Sequence, residues 1–369
     1  MLYPIELLAR MCTSLIVAGK RDQGEQSVIL SGASRSLIAR AAVEAPVVAS
    51  QHRCFTPAST LEFDGAKKVL DIIACMYTPQ AGIFALGTSS HAYLEFDLLD
   101  AKKYKEFASA ISTIREPRTT TGGVNFVIGF RPELWREIVP ADAPAGVEGF
   151  NHDIKGTEGF VMPGTQHDAL IWLSGSAYDV IFDMARTVIH DLAGQATLGE
   201  ETSSWPYRHD RDLTGFVDGS ENPTLLDAPL AALLPEGVPG AGGSVLLLQK
   251  WKHKVTEWEA LPVEQQERVM GRTKQDSIEL ENKPADSHVA RTDQDEFGNI
   301  FRRNMPYGNV DDHGTVFVGF SAEQKRLSKM LDSMAGLITG TRDALTRYTQ
   351  PLTGSYYFVP SVESLRNLR

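Results

Sequence analysis

The chain has 369 residues, which is long enough for two domains with well-buried cores. Its formal net charge of −11 and pI near 5.4 argue against nucleic acid or an anionic membrane as the main partner. No stretch approaches the roughly 18 consecutive apolar residues of a membrane-spanning helix.

The cysteines of the chain are confined to its N-terminal part. Cys12, Cys54 and Cys75 are the three cysteines of the sequence, and all lie in the first 75 residues. Disulfide scaffolds, cysteine zinc sites, iron–sulfur clusters and covalent haem attachment are therefore excluded from the rest of the chain.

Residues 1–75 differ from the rest of the chain in other ways. They contain none of the five tryptophans, show no sustained strand or helix periodicity, and MCTSLIVAG is a poor signal-peptide core. We expect residues 1–75 to be an N-terminal extension that is disordered or lies upstream of a natural start at Met76; a short accessory segment is the alternative.

Two later segments share one layout. Residues 168–194 and residues 314–336 each give an apolar strand, a Ser-Ala turn and a helix with an apolar face that ends at a glycine. The sequence also predicts other strands and a Gly- and Pro-rich loop over 223–243. The strands are expected at 82–84 with 93–96, at 124–130 and at 244–251.

No dinucleotide-binding glycine motif or P-loop occurs in the chain. Irregular alternation of strands and helices favours an α+β fold of two ferredoxin-like βαββαβ halves, each with an antiparallel sheet and helices. We place the N-terminal half at 76–198 and the C-terminal half at 199–369.

Five of the nine histidines adjoin an aspartate, which raises the possibility of a metal-dependent hydrolase. Adjacent side chains on a strand or helix diverge instead of converging on one ion. We therefore assign these pairs to surface or supporting positions. They are His152-Asp153, His167-Asp168, His190-Asp191, His209-Asp210 and Asp312-His313.

The stretch DLTGFVDGSENPT, residues 212–224, places Asp218 and Gly219 directly after apolar residues. Asp-Gly is a strong turn signal, because both residues tolerate positive φ. Turn formation is the simpler interpretation of Asp218, and a functional site is the alternative.

Two further segments carry polar residues in unusual contexts. His288 lies in DSHVART, where a satisfied loop histidine is the simpler interpretation. In IFRRNMPYGN, strand alternation directs Arg302 and Asn304 to one side and Arg303 to the other. If Ile300 faces inward, Arg302 and Asn304 face inward too and need polar partners.

An aspartate, a histidine and an arginine together provide the groups needed to activate peroxide at a haem iron. A neutral imidazole binds the metal, an acid–base group moves the peroxide proton, and a fixed cation stabilises charge as the O–O bond breaks.

The chain resembles the dye-decolourising peroxidase family, most closely its bacterial cytosolic B-type members. GFVDGSENP resembles the family's distal aspartate motif, SHVAR its proximal histidine segment and IFRRNMPYG its distal arginine segment. VMGRTK and TGSYYFVP resemble supporting segments. The resemblance covers residues 77–367 and is absent from residues 1–75.

The resemblance implies one non-covalent haem b per chain in the C-terminal half of a DyP-type fold. It implies that His288 is the axial iron ligand, Asp218 the distal acid–base residue and Arg302 the distal cation, with Asn304 beside it. The main chain of Gly219, Ser220 and Glu221 would line the haem. Asp343 is our candidate acceptor for the His288 ring N–H, although an exposed helix-terminal acid is equally compatible with the sequence.

The implied activity is a peroxidase that uses hydrogen peroxide to oxidise dyes, phenols or other small reductants through a ferryl intermediate. The alternative is a haem- or porphyrin-binding protein, or one that releases haem iron, with incidental peroxidase activity. We expect a cytoplasmic homo-oligomer, from dimer to hexamer, without nucleic-acid or membrane partners and without an encapsulin-targeting tail.

Overall fold

The computed structural model describes residues 77–115, 123–208 and 210–368. The predicted N-terminal extension and the proposed start at Met76 lie outside the described residues. Across the three described ranges, no helix is both long and apolar enough to cross a bilayer.

The strands of the described ranges alternate with helices along the chain and belong to two antiparallel sheets, one large and one of two short strands. In chain order they are β1 (Ser90–Leu98), β2 (Val124–Phe130), β3 (Ile154–Lys155), β4 (Val161–Met162), β5 (Ala169–Gly175), β6 (Ala196–Ser204), β7 (Ser244–His253), β8 (Phe301–Arg302), β9 (Met305–Gly308), β10 (His313–Ser321), β11 (Thr349–Pro351) and β12 (Ser355–Val359).

The α-helices of the same ranges are mostly short, and 3-10 turns lie between them. The α-helices are α1 (Tyr104–Thr113), α2 (Pro132–Ile138), α3 (Tyr178–Leu192), α4 (Ala228–Ala232), α5 (Val255–Glu259), α6 (Val263–Met270), α7 (His288–Arg291), α8 (Gln294–Phe297), α9 (Gln324–Met334) and α10 (Val362–Arg366). The 3-10 turns are Ala81–Phe84, Ala101–Lys103, Pro140–Asp142, Thr157–Gly159 and Ala344–Arg347.

The large sheet consists of two sets of strands that join at both edges. In the first set the order is β2-β5-β1-β6, and in the second β10 lies between β7 and the pair β8 and β9, while β7 also pairs with β11 and β12. The pairs Ser204 with Tyr307 and Phe130 with Phe358 connect the two sets. The strands therefore form a closed ring.

The inside of this ring is filled by apolar side chains from both strand sets. Trp172 and Tyr93 of the first set cluster with Leu246, Val318 and Tyr357 of the second set. On the outside of the first set, α3 packs on β1 and β5. The outside of the second set faces α9, so each strand set is covered by a helix of its own.

The predicted strand–turn–helix units are confirmed as β5 with α3 and β10 with α9. In α3 the buried residues Ile181, Ala185, Val188 and Leu192 recur at helical spacing. Gly336 ends α9 with a φ of 77°. The N–H of Leu337 bonds to the carbonyl of Asp332 across this turn, which is the expected glycine cap.

The strands predicted at 124–130 and 244–251 are also confirmed, but residues 82–84 are not a strand. They lie in the 3-10 turn Ala81–Phe84, which the Gln80 side chain attaches to β2. Its amide donates to the Ile128 carbonyl at 2.8 Å and accepts the Ile128 N–H at 2.7 Å. A side-chain amide therefore takes the place that a neighbouring strand would occupy.

Two other predictions differ from the structure, one about a loop and one about a boundary. The predicted loop over residues 223–243 contains the short helix α4. The boundary predicted between residues 198 and 199 falls inside β6, which pairs with β1 from Ala196 to Ser204.

Gly82 provides a test of the docking of the 3-10 turn on β2. A Cβ at Gly82 would lie 2.1 Å from the Phe126 carbonyl oxygen, which belongs to a buried strand and cannot move away freely. We expect Gly82→Ala to lower the free energy of unfolding by about 1–3 kcal/mol in chemical denaturation. Gly194→Ala, where a Cβ meets nothing within 4 Å, is the matched control; equal stability losses for both variants would contradict the docking.

Candidate active site

A large cavity lies on the outer face of the second strand set, against α9. It encloses about 1300 Å³ of atom-free space, including its opening to solvent. Its apolar wall combines strand residues with one face of α9, namely Leu247, Phe317, Leu327, Met330, Leu331 and Met334.

Strand alternation selects the residues that reach this cavity. Gln249, Trp251 and His253 of β7 line it, and so do Thr315 and Phe317 of β10. Side chains at the alternate positions of the same strands, such as Leu248 and Val318, face the inside of the ring. The polar groups of the cavity are thus fixed on rigid strands.

His288 is the first residue of α7 and lines the cavity. The N-cap Ser287 is fully buried, and its hydroxyl accepts the Ala290 N–H at 3.4 Å. The Thr292 hydroxyl donates to the His288 carbonyl at 2.9 Å. The histidine therefore sits at a fixed helix start and not in a mobile loop.

Asp343 fixes the orientation of the His288 ring. Its carboxylate lies 2.7 Å from His288 Nδ1 and also accepts the Leu345 N–H at 2.8 Å. Asp343 is fully buried, so the alternative of an exposed helix-terminal acid is wrong. With Nδ1 bonded to the carboxylate, Nε2 is the ring nitrogen left to bind a metal.

The Asp343 carboxylate also changes the basicity of the imidazole. Burial alone would lower the pKa of His288, but the negative charge and hydrogen bond of Asp343 outweigh burial and raise that pKa. A more basic imidazole is a stronger electron donor to a bound metal.

Asp218 lines the same cavity from the loop between β6 and α4. Its N–H donates to the Asp210 carbonyl at 2.8 Å, and Gly219 follows with a φ of 76°. Glycine is favoured there because the left-handed region is costly for other residues. Gly219, Ser220 and Glu221 also border the cavity.

Asn304 has its amide orientation fixed by the sheet. Its Oδ1 accepts the Val318 N–H at 3.0 Å, so the Nδ2 donates to Asp218 Oδ1 at 3.2 Å.

The surroundings of Asp218 raise its pKa. Burial is the main cause, and the nearby Asp212 carboxylate raises the pKa further. The positive charge of Arg302 lowers the pKa but does not outweigh these two effects.

Arg302 lies in β8, and its main chain is clamped by Asn222. The Arg302 N–H donates to Asn222 Oδ1 at 2.9 Å, and Asn222 Nδ2 donates to the Arg302 carbonyl at 2.8 Å. Ile300, Arg302 and Asn304 all line the cavity, whereas Arg303 is buried with its guanidinium over the Trp172 ring inside the ring of strands. The predicted alternation is therefore confirmed.

Several residues of the site are not identified from the sequence. Asn222 lies in a Glu-Asn-Pro sequence that is typical of turns, yet its side chain ties the Asp218 loop to β8. Gln294 adds a second tie, since it donates to the Glu221 carbonyl and accepts the Ile300 N–H, both at 2.9 Å. The sequence does carry a signal for His253, because its even spacing from Gln249 and Trp251 places all three side chains on one face of β7. Asn222 and Gln294 carry no comparable local signal.

The histidine–aspartate pairs that the structure describes do not form a metal centre. In the described ranges no group of three or more His, Cys, Asp or Glu side chains could hold a metal ion. Instead, His167 pairs with Asp97 at 2.9 Å, Asp168 with Arg131 at 3.0 Å and Asp312 with Lys252 at 3.1 Å. His209 lies outside the described residues.

The cavity fits a haem. It offers one imidazole with its Nε2 available, an apolar wall for a flat macrocycle, and buried polar atoms that need partners. Arg302 Nε and Gln249 Nε2 are buried without a hydrogen-bond partner among the described residues, and both side chains line the cavity.

Comparisons with known proteins agree on one family. Residues 209–364 match the family model "Dyp-type peroxidase, C-terminal". The dye-decolorizing peroxidase of Rhodococcus erythropolis is 36% identical over 258 residues, which are 67% of this chain and 75% of that protein. A deferrochelatase of Yersinia pestis is 26% identical over 178 residues, covering 40% of this chain and 41% of that protein.

Among solved structures, a variant of DypB from Rhodococcus jostii in complex with haem superposes with a TM-score of 0.73. It is 30% identical, and the match covers 79% of this chain and 99% of that one.

The contact between Asp343 and His288 leads to a test with haem itself. Asp343→Asn removes the negative charge, so we expect haem affinity to fall by about 10- to 100-fold and the iron reduction potential to rise. Haem titration of the apo-protein and redox titration of the loaded protein measure the two effects. Asp100→Asn is the matched control, because Asp100 also caps a 3-10 turn; unchanged affinity and potential in Asp343→Asn would contradict the assignment.

Proposed function

The chain belongs to the dye-decolourising peroxidase family and is a haem peroxidase, and from this premise we propose that its cavity holds haem between His288 on one side and Asp218 with Arg302 on the other. The observation that carries the proposal is that these three side chains, from separate elements, border one cavity with an apolar wall. Haem is the cofactor, and peroxide with an organic reductant are the substrates.

When bound, the haem supplies an iron that binds peroxide and stores the oxidising equivalents. The chain's own residues then have distinct tasks. Asp218 in its ionised form takes the proton from the inner oxygen of peroxide and delivers it to the outer oxygen. Arg302 stabilises the negative charge that develops as the O–O bond breaks.

Asn304 and Asp343 support these groups. The Asn304 amide donates to Asp218 Oδ1, which favours the ionised carboxylate and holds it in one orientation. Asp343 accepts the Nδ1 hydrogen of His288, so the other ring nitrogen points to the metal. Together they keep the proton acceptor and the axial ligand in place without reorganisation.

Within the family's mixed α/β architecture, we also propose two ferredoxin-like halves that meet after Ser204, not after residue 198. Each half contributes four strands in the order fourth, first, third, second: β6-β1-β5-β2 and β12-β7-β10-β9. This order in both halves supports the proposal.

A second candidate is a protein that binds haem and releases its iron, with peroxidase activity as a side reaction. The deferrochelatase relative supports it, although that match spans less than half of either chain. Release of iron would need haem binding but not the Asp218–Arg302 pair. The oligomeric state and the cytoplasmic location stay predictions.

Replacement of the proposed distal residues distinguishes the two functions. We expect Asp218→Asn and Arg302→Leu to bind haem normally but to react with hydrogen peroxide about 10²- to 10⁴-fold more slowly, measured by stopped-flow absorption of the haem-loaded protein. Asp183→Asn and Arg186→Leu, on the exposed face of α3, are charge-matched controls. Peroxide reaction at the wild-type rate in both distal variants would exclude the peroxidase mechanism and favour the second candidate.

A further inference from the structure

A second set of polar side chains lies in the same cavity and takes no part in the proton transfer assigned to Asp218 or the charge stabilisation assigned to Arg302. Asp212, Thr315 and His253 line the cavity from three different segments. Asp212 lies in the loop that carries Asp218, Thr315 lies on β10, and His253 is the last residue of β7. We call these three residues the Asp212 cluster.

The Asp212 cluster is a directed chain of hydrogen bonds. The Thr315 hydroxyl donates to Asp212 Oδ2, so the Thr315 oxygen is free to accept from His253 Nε2, which lies 3.2 Å away. His253 Nε2 is also 3.7 Å from Asp212 Oδ2. The other carboxylate oxygen, Oδ1, accepts the Thr214 N–H at 2.5 Å.

Asp212 also shapes the loop that leads to Asp218. Its N–H donates to the Phe216 carbonyl at 3.0 Å, and its carbonyl accepts the Gly215 N–H at 2.9 Å. Arg211 and Val217 form an isolated antiparallel bridge next to this turn. The loop is therefore a tight hairpin whose base is attached to β7 and β10 through one carboxylate.

We propose that Asp212 is a positioning residue for Asp218. Through its contacts with Thr315 and His253 it fixes the loop that carries Asp218. Its negative charge also disfavours ionisation of Asp218, and protonation of His253 offsets this effect. The inference rests on the proposed acid–base function of Asp218. In this way the Asp212 cluster sets the pH range over which Asp218 can accept a proton.

The charges of the cluster support this proposal. Burial opposes ionisation of Asp212, but His253 and the hydrogen bonds from Thr214 and Thr315 outweigh it and lower the pKa of Asp212. Asp212 is therefore an anion at neutral pH. A like charge nearby disfavours ionisation, and Asp212 accordingly contributes to the raised pKa of Asp218.

His253 gives the effect a dependence on pH. Burial is the main reason that the pKa of His253 is lowered; Asp212 opposes this shift and His313 adds to it. His253 is thus neutral at neutral pH and gains its proton only on the acid side. At acidic pH the His253 imidazolium pairs with Asp212 and partly neutralises its negative charge. The repulsion between Asp212 and Asp218 is then weaker, so Asp218 stays ionised at lower pH.

Other charged groups face these residues and stay in place in the test. Arg302 acts on Asp218, and His313 lies with its ring centroid 6.4 Å from that of His253. On the far side of the loop, Arg211 donates to the Gly215 carbonyl at 2.7 Å, and Lys274 Nζ lies 5.6 Å from the Phe216 ring centroid.

Two substitutions in the Asp212 cluster have opposite expected effects. Asp212→Asn keeps the shape of the side chain but removes its negative charge, so the acid limb of the pH–rate profile for the reaction with peroxide should move to lower pH. His253→Gln removes the acid-side imidazolium, so the limb should move to higher pH. We expect each shift to be on the order of one pH unit, and the double variant to behave like Asp212→Asn alone.

The measurement uses haem-loaded protein and has two readouts. Stopped-flow rates of the reaction with hydrogen peroxide give the acid limb, and infrared titration of the Asp218 carboxyl band, assigned with Asp218→Asn, gives ionisation directly. Asp183→Asn, on the exposed face of α3 and outside the cavity lining, is the charge-matched control and should leave both readouts at the wild-type values. Haem content and thermal unfolding verify that each variant is folded.

The two readouts separate the inference from the function on which it rests. Infrared shifts in opposite directions support the inference even if the kinetic limb does not move with them, in which case the acid–base function of Asp218 is wrong. Shifts in the same direction for Asp212→Asn and His253→Gln, or no infrared shift in either, overturn the inference. A uniform loss of rate at every pH with an unmoved limb means a merely structural contribution of the cluster and also overturns it.

Discussion

The alternation of side chains along β7 and β10 is the constraint on which the site depends. Because the strands close into a ring, one face of these strands must fill an apolar interior and the other face is left for the cavity. Leu246, Leu248 and Val318 take the first face, and Gln249, His253 and Thr315 take the second. A shift of one residue in register would exchange the two sets.

Burial of charge is the second constraint, and it results from the first. Ionisable groups that face a cavity instead of bulk water need partners, since an unpaired buried charge is costly. The structure provides the partners in pairs: Asp343 with His288, Asn304 with Asp218, and Thr315 with Asp212. Each pair joins two different segments, so the contacts that stabilise the charges also hold the cavity together.

Much of this could be predicted from the sequence, because local patterns determine it. The bounds of β2 follow from its mainly apolar sequence VNFVIGF, and the opposite directions of Arg302 and Arg303 follow from the strand period. The unit formed by β10 and α9 follows from a change of period from two to 3.6. The resemblance to a family added the expectation that His288, Asp218 and Arg302 come together.

The features that could not be predicted depend on contacts between distant segments. Residues 82–84 have strand-like composition, but the Gln80 amide occupies the edge of β2, so the segment forms a 3-10 turn. Asn222 has turn chemistry in its own segment, and its clamp on Arg302 exists only because β8 lies beside it. The Asp212 cluster likewise joins three segments with no shared local pattern.

The most direct test of the proposed haem site is a crystal structure of the haem-loaded protein with the iron located by anomalous scattering. We expect an iron within coordination distance of His288 Nε2, with the Asp218 carboxylate and the Arg302 guanidinium on the opposite face of the porphyrin. Iron bound by another residue, or an Asp218 side chain turned away from the porphyrin, would contradict it.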